Sequence, residues 1–272
     1  MSAPRPLVAF LTDYGAATEH VGALHAVVAA GCPGADRVDL AHDVPPGDVR
    51  WGALVLARSA ALLPGAVVVA VVDPGVGTQR RGLAVALGQG GYLVGPDNGL
   101  LGPACERLGA RAAVELRSEE HRRSPVAPTF HGRDIFAPAA VHLAAGGALS
   151  DLGPAVDPGG VARPALPAAS VAPGRVEALA VGRDRFGNLA LLAGAADLRA
   201  AGLADGDPVW VTARERRHPA RVGGVFADVP PGGLLVHIDS AGMLALAVNG
   251  GSAAERLGVA SGEAVGVLRM SG

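Results

Sequence analysis

The stretch VVVAVVDPGVGTQRRG, residues 67 to 82, joins an apolar strand to an acidic turn. Small and β-branched apolar residues come first, and Asp73 follows them directly, before a Pro-Gly turn and two arginines. A continuous apolar run of this length is typical of a strand that is buried on both faces of a parallel sheet. The stretch therefore predicts a central strand that delivers a carboxylate to a glycine-rich turn.

Strand and helix patterns alternate on both sides of this stretch. The strand candidates are PLVAFLTDYG, DRVDLAHDV, GLAVALG and GYLVGPDNG. The helix candidates are EHVGALHAVVAAG, VRWGALVLARSAALL, LLGPACERLG and RDIFAPAAVHLAAGG, with Thr18 and Asp48 as N-caps of the first two. Such alternation predicts an α/β domain with a central, largely parallel sheet over residues 1–160.

The pattern changes toward the C-terminus. Residues 161–175 are rich in proline, glycine and alanine and have no period, which favours a linker or an extended crossing segment. Residues 176–272 consist mostly of short strand patterns that glycine, aspartate and proline separate. We therefore expect a C-terminal all-β domain that is either a small, barrel-like domain or a sandwich.

The composition excludes several classes of protein. Of the 272 residues, 50% are hydrophobic and only 3% aromatic, so alanine, valine and leucine must build the core. The 23 basic residues, all arginine, and the 25 acidic residues give a net charge of −2, with no basic excess for nucleic acid. Cys32 and Cys105 are too few for a disulfide framework or a zinc site. A signal-peptide pattern is lacking. Arg58 and a Pro-Gly pair interrupt the most apolar region, so it does not fit a membrane span. Both observations predict a soluble, cytoplasmic protein without a membrane partner.

Acids follow three of the predicted strands, at Asp13, Asp73 and Asp97. Ligands bind outside the carboxyl ends of strands in open parallel sheets, so the three carboxylates suggest one shared site. Each acid also fits an ordinary turn, in which aspartate bonds its own backbone. The segment TFHGRDIF adds His131 beside Phe130 on a glycine-containing turn, and this combination favours the site.

Seven motifs carry a resemblance to a known family. In chain order they are FLTDYG, VVDPGVGTQRRG, GPDNGLL, TFHGRDIFAPAAVHLAAG, DRFGNL, VFAD and DSAGMLALAVNGGSAAERLG. With these motifs the chain resembles, over nearly its whole length, the S-adenosylmethionine hydroxide adenosyltransferases (S-adenosylmethionine hydrolases), which are homologous to fluorinases and chlorinases. The resemblance implies an N-terminal α/β domain, a C-terminal β-barrel and a homotrimer. Each active site would lie between the N-terminal domain of one chain and the C-terminal domain of a neighbour.

The resemblance also implies a reaction and its catalytic residues. Water or hydroxide attacks C5′ of the ribose of S-adenosyl-L-methionine and gives adenosine and L-methionine, with no cofactor and no metal. Asp73, Arg80 and His131 would surround the water, and the halogenases carry tyrosine-type residues in place of Asp73 and His131. Arg80 would favour hydroxide by its charge, while Asp73 or His131 would orient the water or accept its proton; which of the two accepts it stays open. Arg81 is the alternative candidate for the arginine beside the water, and the family spacing favours Arg80.

Substrate-binding residues are implied in both domains. In the N-terminal domain, Asp13 matches the acid that accepts both ribose hydroxyls, and Phe130 lies in the histidine motif. The implied contacts of the C-terminal domain are Asp184 to the α-ammonium, Phe186 and Asn188 to the adenine, Phe226 stacked on the adenine and Ser240 to the methionine carboxylate. Core packing is the alternative for the last two phenylalanines. The chain departs from the family at Thr18, His20, Ala241 and residues 190–192, which affects the expected substrate affinity more than the catalytic residues.

Other functions compete with this one. A metal-dependent hydrolase would use Asp13, Asp73, Asp97 and His131 as ligands, but the sequence lacks a metal motif such as H-x-x-x-H. A protein that binds adenosine or S-adenosyl-L-methionine without turnover is the alternative from another class. A halogenase-type enzyme that transfers the adenosyl group is the third.

Overall fold

The computed structural model describes residues 5–270 of the chain. The chain divides into two compact units, of which the first ends at Ala165 and the second begins at Leu166. Each unit has its own hydrophobic core. The expected boundaries at residues 160 and 175 stay predictions.

A seven-stranded sheet forms the centre of the first unit. Its strands are β1 (Leu7–Thr12), β2 (Asp36–Ala41), β3 (Val67–Val71), β4 (Gly82–Leu87), β5 (Tyr92–Pro96), β6 (Ala110–Glu115) and β7 (Ala155–Val156). They lie in the order β2-β1-β3-β5-β4-β6-β7. Neighbours among the first four strands of this order run parallel, and β4, β6 and β7 are each added antiparallel. The predicted α/β class with a largely parallel sheet is confirmed.

Helices cover this sheet. The α-helices are α1 (Glu19–Gly31), α2 (Val49–Ser59), α3 (Gly102–Leu108) and α4 (Ala137–Ala144). One π-helical turn covers Gly132–Phe136, and 3₁₀ turns cover Ala60–Leu62, Leu149–Leu152 and Pro158–Gly160. Asp48 caps α2 as predicted, because its Oδ1 accepts from the Trp51 amide at 2.9 Å. Thr18 stands at the N-cap of α1 but makes no capping bond, since its hydroxyl donates to the Gly15 carbonyl instead.

Strand β3 lies in the middle of the sheet, between β1 and β5. All five of its residues are buried, with at most 4% exposure, as the continuous apolar run predicts. Its last residue, Val71, pairs in register with Thr12, the last residue of β1. Because the two strands are parallel and end together, Asp13 and Asp73 leave the sheet at the same edge.

A closed β-barrel forms the second unit. Its strands are β8 (Ser170–Ala172), β9 (Arg175–Arg183), β10 (Leu189–Gly194), β11 (Pro208–Ala213), β12 (Arg216–Val222), β13 (Leu234–Ile238), β14 (Met243–Val248) and β15 (Ala264–Arg269). Seven of them follow the order β10-β14-β13-β12-β11-β15-β9, and a pairing of β9 with β10 closes the ring. Strand β8 pairs with β9 and lies in the segment predicted to be a linker. The predicted barrel-like domain is confirmed.

Small aliphatic side chains fill the barrel. In β11, for example, Val209, Val211 and Ala213 are buried at every second position. Two short helices, α5 (Ala195–Ala200) and α6 (Ala253–Leu257), and a 3₁₀ turn at Phe226–Asp228 connect the strands. Across residues 5–270, none of the helices has the length and apolar character needed to cross a membrane.

Candidate active site

Asp73, Arg80 and His131 meet beyond the carboxyl end of β3. The Arg80 guanidinium donates to the Asp73 carboxylate, from Nε at 3.1 and 2.9 Å and from Nη2 at 2.5 Å. The same Nη2 lies 2.8 Å from His131 Nδ1. The side chains of Asp73 and Arg80 are 4% and 11% exposed, so water competes little for this contact. The structure brings together the three residues that the sequence suggested for catalysis.

The glycine-rich turn returns Arg80 to Asp73. The amide of Val76 donates to the Asp73 carbonyl at 3.2 Å, and the amide and hydroxyl of Thr78 both donate to the Gly75 carbonyl. Gly77 has a φ of +79°, and a Cβ atom there would lie 2.8 Å from the Pro128 carbonyl oxygen. The turn therefore needs glycine at this position, both for the left-handed backbone and for the close approach of the segment before His131.

Arg81 belongs to a different ion pair. Its Nε and Nη2 donate to Asp97 Oδ2 at 2.9 and 2.5 Å, and Asp97 Oδ1 accepts from the Ala162 amide at 2.9 Å. The next residue, Asn98, donates from Nδ2 to the Val72 carbonyl at 2.8 Å. Asp97 therefore secures the backbone around the turn and does not join the other two strand-end acids.

A small cavity lies beside the contact of Asp73 with Arg80. We call it the strand-end cavity; its lining is Asp13, Tyr14, Val71, Asp73, Val76, Thr129, His131 and Gly132. Its volume is about 50 Å³, which is enough for a water molecule. Asp13 Oδ2 accepts from the Gly47 amide at 2.9 Å. Two of the three strand-end acids thus share one site, with His131 as a third titratable group.

The Arg80 contact decides which nitrogen of His131 is the acceptor. A guanidinium carries only donors, so His131 Nδ1 accepts the hydrogen bond with its lone pair. Burial lowers the pKa of His131 and the charge of Arg80 lowers it further, while Asp73 and Asp134 act in the opposite direction. The ring is therefore neutral at neutral pH, with its proton on Nε2.

Burial also changes the acids of the cavity wall. It raises the pKa of Asp13, and the nearby charge of Asp73 raises it too, although the hydrogen bond from Gly47 opposes the change. Burial raises the pKa of Tyr14 above its usual range, again with a contribution from the two carboxylates. The tyrosine therefore stays a neutral phenol in the physiological range.

Asp134 is a structural acid that sequence reasoning did not single out. Its side chain is fully buried, accepts from the Ala127 amide at 2.8 Å and pairs with Arg133 and Arg123 at 2.7 and 3.3 Å. Burial raises the pKa of Asp134, but the hydrogen bonds from Arg133 and Ala127 outweigh this effect and leave it lowered. The carboxylate ties together the segment that carries His131. An acid among the apolar residues of GRDIFAP was the available signal.

Aromatic rings flank the cavity. Phe130 contacts Tyr14 and His20 at ring distances of 5.8 and 4.9 Å, and Tyr14 contacts His20 at 5.6 Å. The guanidinium of Arg133 lies 4.9 Å from the centre of the Phe130 ring. His20, one of the departures from the family pattern, therefore belongs to the surroundings of Phe130 and Tyr14. Sequence reasoning missed Tyr14, which only its position after Asp13 could have suggested.

The barrel unit has a separate, open cavity. Its volume is about 520 Å³, and its lining is Phe186, Asn188, Phe226, Val248, Asn249, Gly250, Gly251 and Ser252. Phe186 and Phe226 are 67% and 48% exposed, so neither ring packs in the core. Three of the residues predicted to bind the substrate therefore share one surface of the barrel.

The other two predicted residues of the barrel lie in turns. Asp184 accepts from the backbone amides of Phe186 and Asn188, both at 2.9 Å, and from Asn188 Nδ2 at 2.8 Å. It thus shapes the loop that presents Phe186. Ser240 is exposed in the turn between β13 and β14, which Asp239 stabilises, and it does not line the barrel cavity.

A metal ion does not fit between Asp73 and His131, because the Arg80 cation holds that position. Within the described part of the chain, Asp13, Asp73, Asp97 and His131 also form no group of ligand atoms close enough to share one ion. Both observations count against a metal-dependent hydrolase at this site.

Known proteins match the chain over nearly its whole length. Residues 8–153 match the SAM hydroxide adenosyltransferase N-terminal domain, and residues 180–266 match the C-terminal domain of the same family. The (R)-S-adenosyl-L-methionine hydrolase of Salinispora tropica is 50% identical over 266 residues, which cover 96% of this chain and 97% of that protein. The crystal structure of an uncharacterized conserved protein from Thermotoga maritima matches with a TM-score of 0.88 and 34% sequence identity. The match covers 96% of this chain and 100% of the Thermotoga maritima chain.

Fluorinases are more distant relatives. The fluorinase of Actinopolyspora mzabensis is 27% identical over 292 residues, which cover 97% of this chain and 98% of that enzyme. Both family domains are matched in this chain, and they fall on its two structural units. The chain therefore belongs to the SAM hydroxide adenosyltransferase family.

Proposed function

We propose that this protein hydrolyses S-adenosyl-L-methionine to adenosine and L-methionine, by attack of water or hydroxide at C5′ of the ribose. The observation that carries the proposal is Arg80, which bridges the Asp73 carboxylate and His131 beside a water-sized cavity. The names of relatives at 44 to 50% identity, all (R)-S-adenosyl-L-methionine hydrolases, support the same reaction.

The chemistry asks for an activated nucleophile rather than an acid. As the water oxygen bonds to C5′, the C5′–S bond breaks, and its electron pair neutralises the sulfonium to the thioether of methionine. The leaving group needs no proton. The attacking water must lose one, and it must approach in line with the departing sulfur, so positioning and proton acceptance are the tasks left to the protein.

The neutral imidazole suggests how these tasks are divided. With Nδ1 occupied by Arg80, His131 has Nε2–H to donate to the water oxygen and hold it in place. Asp73 then accepts the proton, because a carboxylate has room for more hydrogen bonds than the three contacts that Arg80 makes. The Arg80 charge stabilises the hydroxide character that develops.

Substrate binding draws on residues of both units. In the first unit, Asp13 accepts from the ribose hydroxyls, and Phe130 forms part of the apolar wall. In the barrel, Phe226 and Phe186 contact the adenine face and Asn188 its edge, while Asp184 receives the α-ammonium and Ser240 the methionine carboxylate. We propose that these two sets meet across chains of a homotrimer. The reaction needs neither metal nor cofactor in this proposal, and the cytoplasmic location stays a prediction.

Incubation with S-adenosyl-L-methionine in oxygen-18 water tests the proposal. We expect adenosine and methionine in equal amounts, with and without a chelator, and the isotope in the 5′-hydroxyl of adenosine. Label in neither product, or full inhibition by the chelator, contradicts the mechanism. Tight binding without product identifies the alternative of a binding protein. A halogenated nucleoside formed in the presence of halide identifies the alternative of a halogenase.

A further inference from the structure

Two histidines and one aspartate converge outside the strand-end cavity. His25 lies on α1, Asp39 on β2, and His42 directly after β2. Asp39 Oδ1 lies 2.8 Å from His25 Nε2 and 3.0 Å from His42 Nε2, and the three ligand atoms all lie within 4.8 Å of one another. None of these residues lines the strand-end cavity, so the proposed hydrolysis does not account for their convergence.

His42 has the most unusual surroundings of the three. Its side chain is 4% exposed, and its Nδ1 lies 2.9 Å from the hydroxyl of the fully buried Thr12. Its Nε2 is shielded from solvent and has no hydrogen-bond partner of good geometry among the described residues, although Asp39 is close. A buried polar atom normally has a hydrogen-bond partner. Within the part of the chain that the structure describes, His42 Nε2 lacks a well-placed one, and it lies beside the side chains of His25 and Asp39.

We propose that His25, Asp39 and His42 bind one divalent transition-metal ion, for which zinc is the best match. Two imidazoles and one carboxylate make up a recognised set of three zinc ligands, with the fourth position left for water. Imidazole nitrogen favours zinc and its neighbours among the transition metals, whereas magnesium and calcium prefer oxygen ligands.

The geometry is close to what zinc requires. Ligand atoms at bond lengths of about 2.1 Å around a tetrahedral ion lie about 3.4 Å apart, so the two histidine–aspartate distances must widen by roughly half an ångström. His25 and Asp39 are 30% and 44% exposed, which gives the ion a route from solvent. Thr12 holds the other ring nitrogen of His42, as the partners of metal-bound histidines usually do.

A bound ion would stabilise the backbone beside the strand-end cavity. Thr12 Oγ1 also accepts from the Tyr14 amide at 3.2 Å, and the Gly15 amide donates to the His42 carbonyl at 2.8 Å. These bonds connect His42 to the segment that carries Asp13. The ion therefore acts as a structural clamp, and hydrolysis proceeds without it.

A second cluster shows why convergence alone is not sufficient. The rings of His121 and His142 lie 4.0 Å apart, and Asp151 Oδ2 lies 3.2 Å from His142 Nε2. His142 Nε2 already lies 3.1 Å from the Ala148 carbonyl, and Asp151 accepts from the Ala148 amide. Those atoms serve the turn after α4, so this cluster provides a control rather than a second proposal.

Calorimetric titration of the full chain with zinc chloride, after treatment with a chelator, tests the proposal. We expect one ion per chain in the wild type and a thermal midpoint that rises with zinc, because an ion that binds only the folded state stabilises it. His25→Ala and Asp39→Asn should each weaken zinc binding at least about tenfold and abolish the rise. Neither variant removes a buried side chain, so both are expected to fold.

His121→Ala is the matched control and should bind zinc as the wild type does. Zinc binding that is unchanged in His25→Ala and Asp39→Asn overturns the proposal, as does loss of binding in His121→Ala alone. Failure of the wild type to bind zinc at submillimolar concentration overturns it too. These readouts are independent of turnover, so they separate this proposal from the proposed hydrolysis.

Discussion

At the scale of single residues, Arg80 links two functions that are usually separate. Its fork holds the Asp73 carboxylate, and the remaining contact of Nη2 fixes the proton of His131 on Nε2. One side chain thus orients an acceptor and a donor toward the same small cavity. Lysine could not replace it, because an ammonium lacks the planar, rigid arrangement of donors.

Asp73→Asn tests the proposed proton acceptor. The amide keeps the size of the side chain but cannot accept a proton from water, so we expect turnover to fall by roughly 10²-fold or more, with little change in substrate affinity. Asp13→Asn should do the reverse and raise KM, because it weakens binding of the ribose hydroxyls. Steady-state kinetics of both purified variants checks the contrast.

Asp97→Asn is the control for charge loss at a neighbouring strand end. It breaks the pair with Arg81, which lies off the cavity, so it should lower the thermal midpoint but affect turnover far less than Asp73→Asn. Equal turnover in folded Asp73→Asn and wild-type protein would reduce Asp73 to a turn residue.

The lowered pKa of His131 predicts the acid limb of the pH profile. The folded chain protonates this ring less readily than the unfolded chain, whose imidazole titrates at about 6.5. As the pH falls from about 6.5 through the lowered value, the unfolded state takes up the proton first, so stability decreases in this window. Turnover should fall at the lower end of this window, where the folded protein protonates His131, because an imidazolium would repel Arg80.

Thermal midpoints and kcat between pH 4.5 and 8, compared with those of His131→Gln, measure this effect. The glutamine variant should lose the His131 contribution to both profiles. A wild-type kcat that falls only below the carboxylate range would argue against a role for the imidazole.

The sequence could predict which residues belong to the site better than it could predict which partner each side chain faces. Family spacing favoured Arg80 over Arg81, and the structure separates the two because successive residues at the end of the turn face different acids. Spacing alone cannot predict this, since the direction depends on the left-handed glycine of the turn. In the same way Asp97 looked like a third member of the site, but a nearby backbone amide and Arg81 take up its carboxylate.

At the scale of elements, the π-helical turn before α4 presents His131 to the cavity. Gly132 begins this turn, and a Cβ atom there would lie 2.3 Å from the Tyr14 hydroxyl oxygen. The turn and the segment that follows β1 can approach so closely only because this residue has no side chain.

Gly132→Ala should therefore push Tyr14 away and deform the cavity. We expect turnover to fall about tenfold or more, the scale of misplacement at a reacting site, and the thermal midpoint to fall by several degrees. Gly22→Ala is the matched control, because its Cβ would meet nothing within 4 Å on the exposed side of α1. It should raise stability by about 0.5–1 kcal/mol and leave turnover unchanged. Steady-state kinetics and thermal melts of both variants test this prediction. Equal turnover and equal thermal midpoints in the two variants would contradict the close packing of Gly132 against Tyr14.

The strands and helices were predictable where pattern and burial agree. The continuous apolar run of β3 is buried throughout, and Asp48 caps α2 as its residue type suggests. Thr18 has an equally suitable side chain, but its hydroxyl donates to the Gly15 carbonyl nearby. The strand β8 was not expected in a segment of low periodicity, because it forms by pairing with β9 rather than by its own pattern.

At the scale of the whole molecule, exposed apolar side chains of the barrel form a candidate contact surface. Phe186, Val225 and Phe226 are 67%, 59% and 48% exposed, and such a group of apolar side chains is typical of a binding or contact surface. No sequence pattern within one chain could have predicted the number of subunits, because the contacts that decide it lie between chains.

Co-expression of two impaired variants tests whether active sites are shared. Asp73→Asn removes the proposed proton acceptor in the first unit, and Phe226→Ala removes a proposed adenine contact in the barrel. If the proposed trimer shares its sites in this way, mixed oligomers contain some sites with both halves intact, and activity should recover well above that of either variant alone. Light scattering should give three times the chain mass of 27.0 kDa, or a multiple of that value. A fully active monomer, or no recovery in verified mixed oligomers, contradicts shared sites.

The register of the barrel has a consequence for chain connectivity. Strand β15, the last strand among the described residues, pairs antiparallel with β9, and Leu268 lies opposite Arg175. Neighbouring strands are about 4.8 Å apart, so the polypeptide leaves the barrel beside the point at which it enters. A module with adjacent ends can be spliced into a surface loop of another protein, or circularly permuted, without stretching the host backbone. The adjacent ends of the barrel therefore predict that it can be inserted as a unit into a surface loop of a host protein.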